Sequence, residues 1–125
     1  MTLNVGDQIS EVSALNQQGE TMTLSFNEPT VVYFYPRDDT PGCTTEAVQF
    51  NESLSQYEAI GAEVYGVSMD SVDSHSSFCN KYDLELNLLA DPEGIVATHF
   101  GFDIRDGKPA RTTFIISNGS IQAVY

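Results

Sequence analysis

The sequence is poor in basic side chains. Five lysines and arginines stand against eighteen aspartates and glutamates, a formal net charge of −13 over 125 residues. That balance argues against a nucleic-acid partner, whose phosphates demand a basic footprint, and against an anionic membrane surface. The acidic residues are scattered, which fits a solvated acidic surface. With so few lysines it also suggests adaptation to high salt, where counterions screen self-repulsion. No apolar run approaches the roughly 20 residues that a membrane helix needs. The opening Met-Thr-Leu-Asn-Val-Gly-Asp has no basic region followed by an apolar one, so no secretory signal is expected and a cytoplasmic location is. Only two cysteines occur, Cys43 and Cys79. Without a signal they read as reactive thiols rather than a disulfide framework. There is no glycine-rich phosphate loop, no serine elbow and no pair of catalytic carboxylates.

What is present is a 41% hydrophobic chain long enough for one domain with a real core. The β-branched and aromatic run Thr30-Val-Val-Tyr-Phe-Tyr35 reads as a buried central strand, stopped by Pro36. Residues 1–20 suggest a loop or short hairpin, and Thr21–Leu24 a short edge strand. A helix is expected from Thr40-Pro41, as N-cap and first residue, to about Ile60, with Gly61 as its C-cap. Its inner face would be Ala47, Phe50, Leu54 and Tyr57. Strands follow at 63–68, 86–90 and 110–116, and Asn118-Gly119 marks a tight hairpin into 121–125. A second helix, capped by Asp70 or Ser71, would turn Val72, His75, Phe78 or Cys79, and Tyr82 inward. A third covers roughly 94–100. The Arg37-Asp38-Asp39 cluster reads as a solvated loop, and His99 as packing at a helix end. Alternating strands and helices followed by a hairpin define an α/β domain with a mixed sheet flanked by helices, the thioredoxin-like arrangement. One domain is expected over 1–125, with a covering C-terminal helix absent.

Cys43 falls in the first turn of the first helix. Unpaired backbone N–H groups and the positive end of the helix dipole favour a thiolate there, and thiolates are the nucleophilic form. Pro36, Thr40 and Cys43 form the pattern Pro-x-x-x-Thr-x-x-Cys, and Arg111 follows 68 residues after the cysteine (111 − 43) at the start of a strand.

This set resembles the peroxiredoxins, and within them the Q-type or bacterioferritin-comigratory subfamily. The likeness runs from Val5-Gly6-Asp7 through Val67-Ser68-Met69-Asp70 and Leu89-Ala90-Asp91 to Arg111-Thr-Thr-Phe114. It implies a thiol peroxidase acting on hydrogen peroxide and small organic hydroperoxides, with no cofactor and no metal. Cys43 would attack as thiolate and become a sulfenic acid. Arg111 would hold the thiolate and stabilise developing charge, Thr40 would orient thiolate and peroxide, and Pro36 would exclude water. Glu46 would orient Arg111 or simply favour the helix start.

Many Q-type members carry a second cysteine five residues after the first, but that position is Val48 here. Others place the resolving cysteine on the helix after the next strand. Cys79 lies on that helix, 36 residues after Cys43 (79 − 43), so the resemblance implies an intramolecular Cys43–Cys79 disulfide, recycled by a thioredoxin-like reductant. Such a bridge needs Cα atoms within about 7 Å, so local unfolding of one or both helix sites is expected. The alternative is a buried, inert Cys79. His75 and Cys79 are four apart, a metal-ligand spacing, but two ligands are too few. Q-type relatives are often monomers, and a monomer is expected. A peroxide sensor without turnover and a thiol–disulfide oxidoreductase are the competing functions. The lack of any Cys-x-x-Cys speaks against the second.

Overall fold

The computed structural model describes residues 2–125, with the exception of the Asp106 side chain. Strands β1 (Val12–Leu15) and β2 (Thr21–Leu24) form an antiparallel hairpin. Asn16 fixes its turn, its Oδ1 accepting from the N–H groups of Gln18 and Glu20. Then come β3 (Thr30–Phe34), α1 (Pro41–Glu52), α2 (Leu54–Ala59), β4 (Glu63–Ser68), α3 (Val72–Tyr82), β5 (Asn87–Ala90) and α4 (Ile95–His99). After a 3-10 turn at Ile104–Asp106, β6 (Thr112–Ser117) and β7 (Ser120–Val124) close the chain as a hairpin. Asn118 and Gly119 both have positive φ, 53° and 73°, as a twisted two-residue turn requires.

The seven strands make one mixed sheet in the order β2-β1-β5-β4-β3-β6-β7. β3 pairs parallel with β4 and antiparallel with β6, and β4 pairs parallel with β5. All five residues of β3 are buried, because both faces of the sheet are covered. Val32 and Phe34 face a core with Phe100, Phe114, Val96 and Ala97, under α4. Val31, Tyr33 and Tyr35 face the opposite core with Cys43, Ala47, Phe78 and Cys79, under α1 and α3.

The single helix expected from Pro41 to about Ile60 is two helices, broken at Ser53. Asn51, Ser53 and Ser55 are weak helix formers. The Asn51 Oδ1 accepts from the N–H groups of Glu85 and Leu86, which pins the end of α1 to the approach to β5. Phe50, Leu54 and Tyr57 still pack on the core as their spacing predicts. α3 begins where expected, with Ser71 as the cap accepting from the Ser74 N–H.

Candidate active site

Register explains how residues 68 apart meet. Phe34, at the end of β3, lies opposite Thr112, at the start of β6. Arg111 therefore arrives beside the loop that leaves β3 for α1. Cys43 is the third residue of α1 and only 1% exposed. Arg111 Nη2 donates to Cys43 Sγ over 3.4 Å, and Nη1 donates to Glu46 Oε1 over 2.9 Å. The guanidinium thus spans one turn of α1, from the sulfur to the carboxylate. The Cys43 bond is the main reason the guanidinium holds its proton more tightly than usual, with Glu46 adding to it. Burial raises the Glu46 carboxyl and the Arg111 contact lowers it, with burial prevailing. The Arg111 side chain is 42% exposed, so the pair orients the guanidinium more than it stabilises the fold.

Gly42 makes the approach possible. A Cβ there would sit 3.0 Å from Arg111 Nη2. Its backbone φ is not positive, so the glycine answers to space and not to conformation. The sequence pattern treats this position as a spacer between threonine and cysteine.

Thr40 occupies the N-cap position with extended backbone, but its side chain does not cap the helix. Its Oγ1 donates back to the Arg37 carbonyl over 3.1 Å, tightening the turn that precedes Cys43. The Thr40 carbonyl accepts the first intrahelical bond, from Thr44 N–H. Pro41 has no N–H, and the N–H groups of Gly42 and Cys43 are the free donors of a helix start. Pro36 lies half-buried in the bend after Tyr35.

The Arg37-Asp38-Asp39 cluster is not the solvated loop its charge suggests. Asp38 is buried, accepting from Tyr35 OH (2.6 Å), Ser74 Oγ (2.7 Å) and His75 Nδ1 (2.7 Å). Its backbone N–H donates to Asp70 Oδ2 over 2.8 Å. Asp39 accepts from Lys81 and Tyr82 at the far end of α3. The loop before Cys43 is thereby fastened along α3. Charge composition hides this, since a buried aspartate is stable only with partners that the fold supplies.

Cys79 is buried on α3, in the same core cluster as Cys43, and both are free thiols. Burial, helped by the Asp38 carboxylate, pushes the Cys79 thiol up to about 11. Tyr33, between these elements, stacks on Phe50 at 4.5 Å and on Tyr35 at 5.6 Å. Its hydroxyl is buried with no hydrogen-bond partner among the described residues. Gly66, its partner on β4, makes room for the ring, since a Cβ there would lie 2.7 Å from the phenol. His99 bonds the Ser10 carbonyl, as packing at a helix end. Beside Glu46 a groove of about 300 Å³ runs along Gln49, Phe50, Ser53 and Tyr57. A second cleft, between Leu54, Glu58, Glu63 and Glu85, lies at the amino-terminal ends of β4 and β5 and is not lined by Cys43.

A thiol held by a guanidinium at a helix start, at the carboxyl end of a central strand, is equipped for nucleophilic attack with charge stabilisation. The chain belongs to the AhpC/TSA family, which it matches over residues 5–124. Peroxiredoxin Q, chloroplastic, of Sedum lineare is 42% identical over 88% of this chain, which spans 62% of that relative's length. The putative peroxiredoxin bcp of Coxiella burnetii is 38% identical over the whole chain and 89% of its own. Among solved structures, PrxQ of Xylella fastidiosa superposes with a TM-score of 0.90 at 34% identity, covering 100% of this chain and 86% of that one. Peroxiredoxin Q of Xanthomonas campestris, solved with serine for cysteine at two positions 36 residues apart, has a TM-score of 0.80 at 31% identity over 91% of this chain and 78–79% of its own. The fold is the thioredoxin-like fold of these peroxiredoxins.

Proposed function

We propose that this chain is a thiol peroxidase that reduces hydrogen peroxide and small organic hydroperoxides through Cys43. The observation that carries the reading is the 3.4 Å contact from Arg111 Nη2 to Cys43 Sγ in the first turn of α1. The Cys43 thiolate attacks the terminal peroxide oxygen. An S–O bond forms, the O–O bond breaks, and the leaving oxygen departs as water or alcohol after taking a proton. The sulfur is oxidised to sulfenic acid and the peroxide is reduced. Arg111 and the first N–H groups of α1 stabilise the charge as it moves onto oxygen. Thr40 orients the peroxide, Pro36 limits water, and Glu46 aims the guanidinium. The groove beside Glu46 offers space for an organic substituent.

Cys79 resolves the sulfenic acid in this reading. Support comes from its place on α3 in the cluster that holds Cys43. The 36-residue spacing of Cys43 and Cys79 also equals that of the two cysteines replaced in the Xanthomonas relative. A thioredoxin-like dithiol protein then reduces the disulfide. We read the protein as a cytoplasmic monomer; no described helix is long and apolar enough to cross a membrane.

The test is peroxide consumption with a thioredoxin and its reductase. Cys43→Ser should abolish turnover. Cys79→Ser should undergo one round of oxidation, recycle poorly, and collect sulfinic acid at Cys43. Multiple turnover at the native rate by Cys43→Ser would sink the reading.

A further inference from the structure

Asp38 and His75 take no part in the contact between Cys43 and Arg111, yet both are buried and fully bonded. Asp38 stands five residues before Cys43, and His75 one helical turn before Cys79. His75 Nδ1 donates to Asp38 Oδ2 over 2.7 Å and Nε2 donates to the Leu89 carbonyl over 2.9 Å. Both ring nitrogens are therefore held, one by a carboxylate and one by a backbone carbonyl. Burial alone would raise the Asp38 carboxyl. The His75 bond and charge, with Tyr35 and Ser74, outweigh it and hold the group below its ordinary value. The contact is thus a buried hydrogen bond to a carboxylate, joining the segment that carries Cys43 to the helix that carries Cys79. Removing one partner of such a pair leaves an uncompensated buried charge. It therefore behaves as a single fastening, closed with α3 docked or open with both groups in water.

We propose that the Asp38–His75 pair is a latch for the resolving step: it keeps α3 docked with Cys79 shut in the core, and its opening sets how fast Cys79 reaches oxidised Cys43. This rests on the peroxidase reading above. In the docked state Cys79 is a thiol, held so first by burial and then by the Asp38 carboxylate, and a thiol is a poor nucleophile. Opening the latch releases α3, hydrates Cys79 and carries it away from Asp38. Cys79 loses its proton and attacks the Cys43 sulfenic sulfur. The S–S bond forms, the S–O bond breaks, and hydroxide leaves with a proton as water. The Cys79 sulfur is oxidised and the Cys43 sulfur reduced, so no further oxidant is needed. His75 and Asp38 are positioning residues, acting on the reaction only through α3.

Two arms test this. In a Cys43→Ser background, the alkylation rate of Cys79 by iodoacetamide reports opening without any peroxide chemistry. His75→Gln should raise it on the order of tenfold or more, given the cost of breaking a buried pair. Ser74→Ala, which removes one neutral bond to Asp38, should raise it less and keeps the test open if His75→Gln folds poorly. Amide hydrogen exchange should quicken in α3 and stay unchanged in β3 and β4. With Cys43 intact, a peroxide pulse should form sulfenic acid at the native rate in both variants and the Cys43–Cys79 disulfide faster. Unchanged alkylation in the variants, or exchange that quickens equally in β3 and β4, would overturn the latch while leaving the peroxidase reading in place. If the native protein formed no Cys43–Cys79 disulfide, Cys79's resolving role would fall, and the latch's part in catalysis with it.

Discussion

Arg111 reaches across 68 residues of sequence to place one guanidinium nitrogen 3.4 Å from Cys43 Sγ and the other 2.9 Å from Glu46 Oε1. A lysine could offer charge but not this fork. Arg111→Lys should lower the second-order rate of peroxide reduction by about 10²-fold, in the range seen when one donor to a developing anion is lost. Thermal stability should barely move, because the guanidinium is half exposed. Stopped-flow measurement of the Cys43 oxidation step checks this, and a rate within twofold of the native one would refute it.

Gly42 is the space through which that fork enters. Gly42→Ala puts a methyl group 3.0 Å from Nη2, and the flexible arginine will yield before the helix does. The fold should be no less stable, since alanine suits a helix better than glycine. Peroxide reduction should fall on the order of tenfold, because small misplacements at a reacting centre are costly. The discriminating result is the combination: unchanged melting with a slower first step.

Cys79 should titrate high. In a Cys43→Ser variant, thiolate absorbance should rise with a midpoint near 11 rather than the ordinary 9.0. The group binds its proton more tightly folded than unfolded. Its contribution to stability is therefore complete below pH 9.0 and lost as the pH rises through about 11. Asp38→Asn removes one of the two causes, so the midpoint should move down. A midpoint at the ordinary value in the folded protein would contradict the burial seen for Cys79.

The Tyr33 hydroxyl is buried without a partner among the described residues, and burial raises its pKa well above the ordinary phenol value. Tyr33→Phe keeps the stacking on Phe50 and Tyr35 and deletes the unpaired group. It should leave the fold as stable or more stable by about 1 kcal/mol, the scale of relieving an unsatisfied polar atom. Chemical denaturation measures it directly. A clear loss of stability would mean that the hydroxyl has a partner in solution.

Salt should stabilise the protein. Three carboxylates among the described residues, Asp39, Glu46 and Asp103, have a lysine or arginine partner, out of eighteen in the chain. The remainder repel one another at a net charge of −13. Melting temperature should climb from dilute buffer to molar potassium chloride as the repulsion is screened. The same melting temperature in both would remove the high-salt reading of the composition.

The strands at 21–24 and 63–68 and the Asn118-Gly119 hairpin could be read from residue pattern because each rests on local rules: alternation, β-branching and a turn needing positive φ. Cys43 at a helix start was legible for the same reason, from Thr40-Pro41 and the apolar spacing behind it. Arg111 was legible only through the family pattern, since nothing in its own neighbourhood points to a cysteine 68 residues away. The tertiary structure alone decided the rest. Pairing of Phe34 with Thr112 delivers Arg111 to the sulfur, and Gly42 matters only once that side chain is there. Asp38 looked like solvent-facing charge until α3 packed over it and supplied Ser74 and His75. The cost of burying a carboxylate depends on partners brought from distant parts of the chain, and a local pattern carries no record of them.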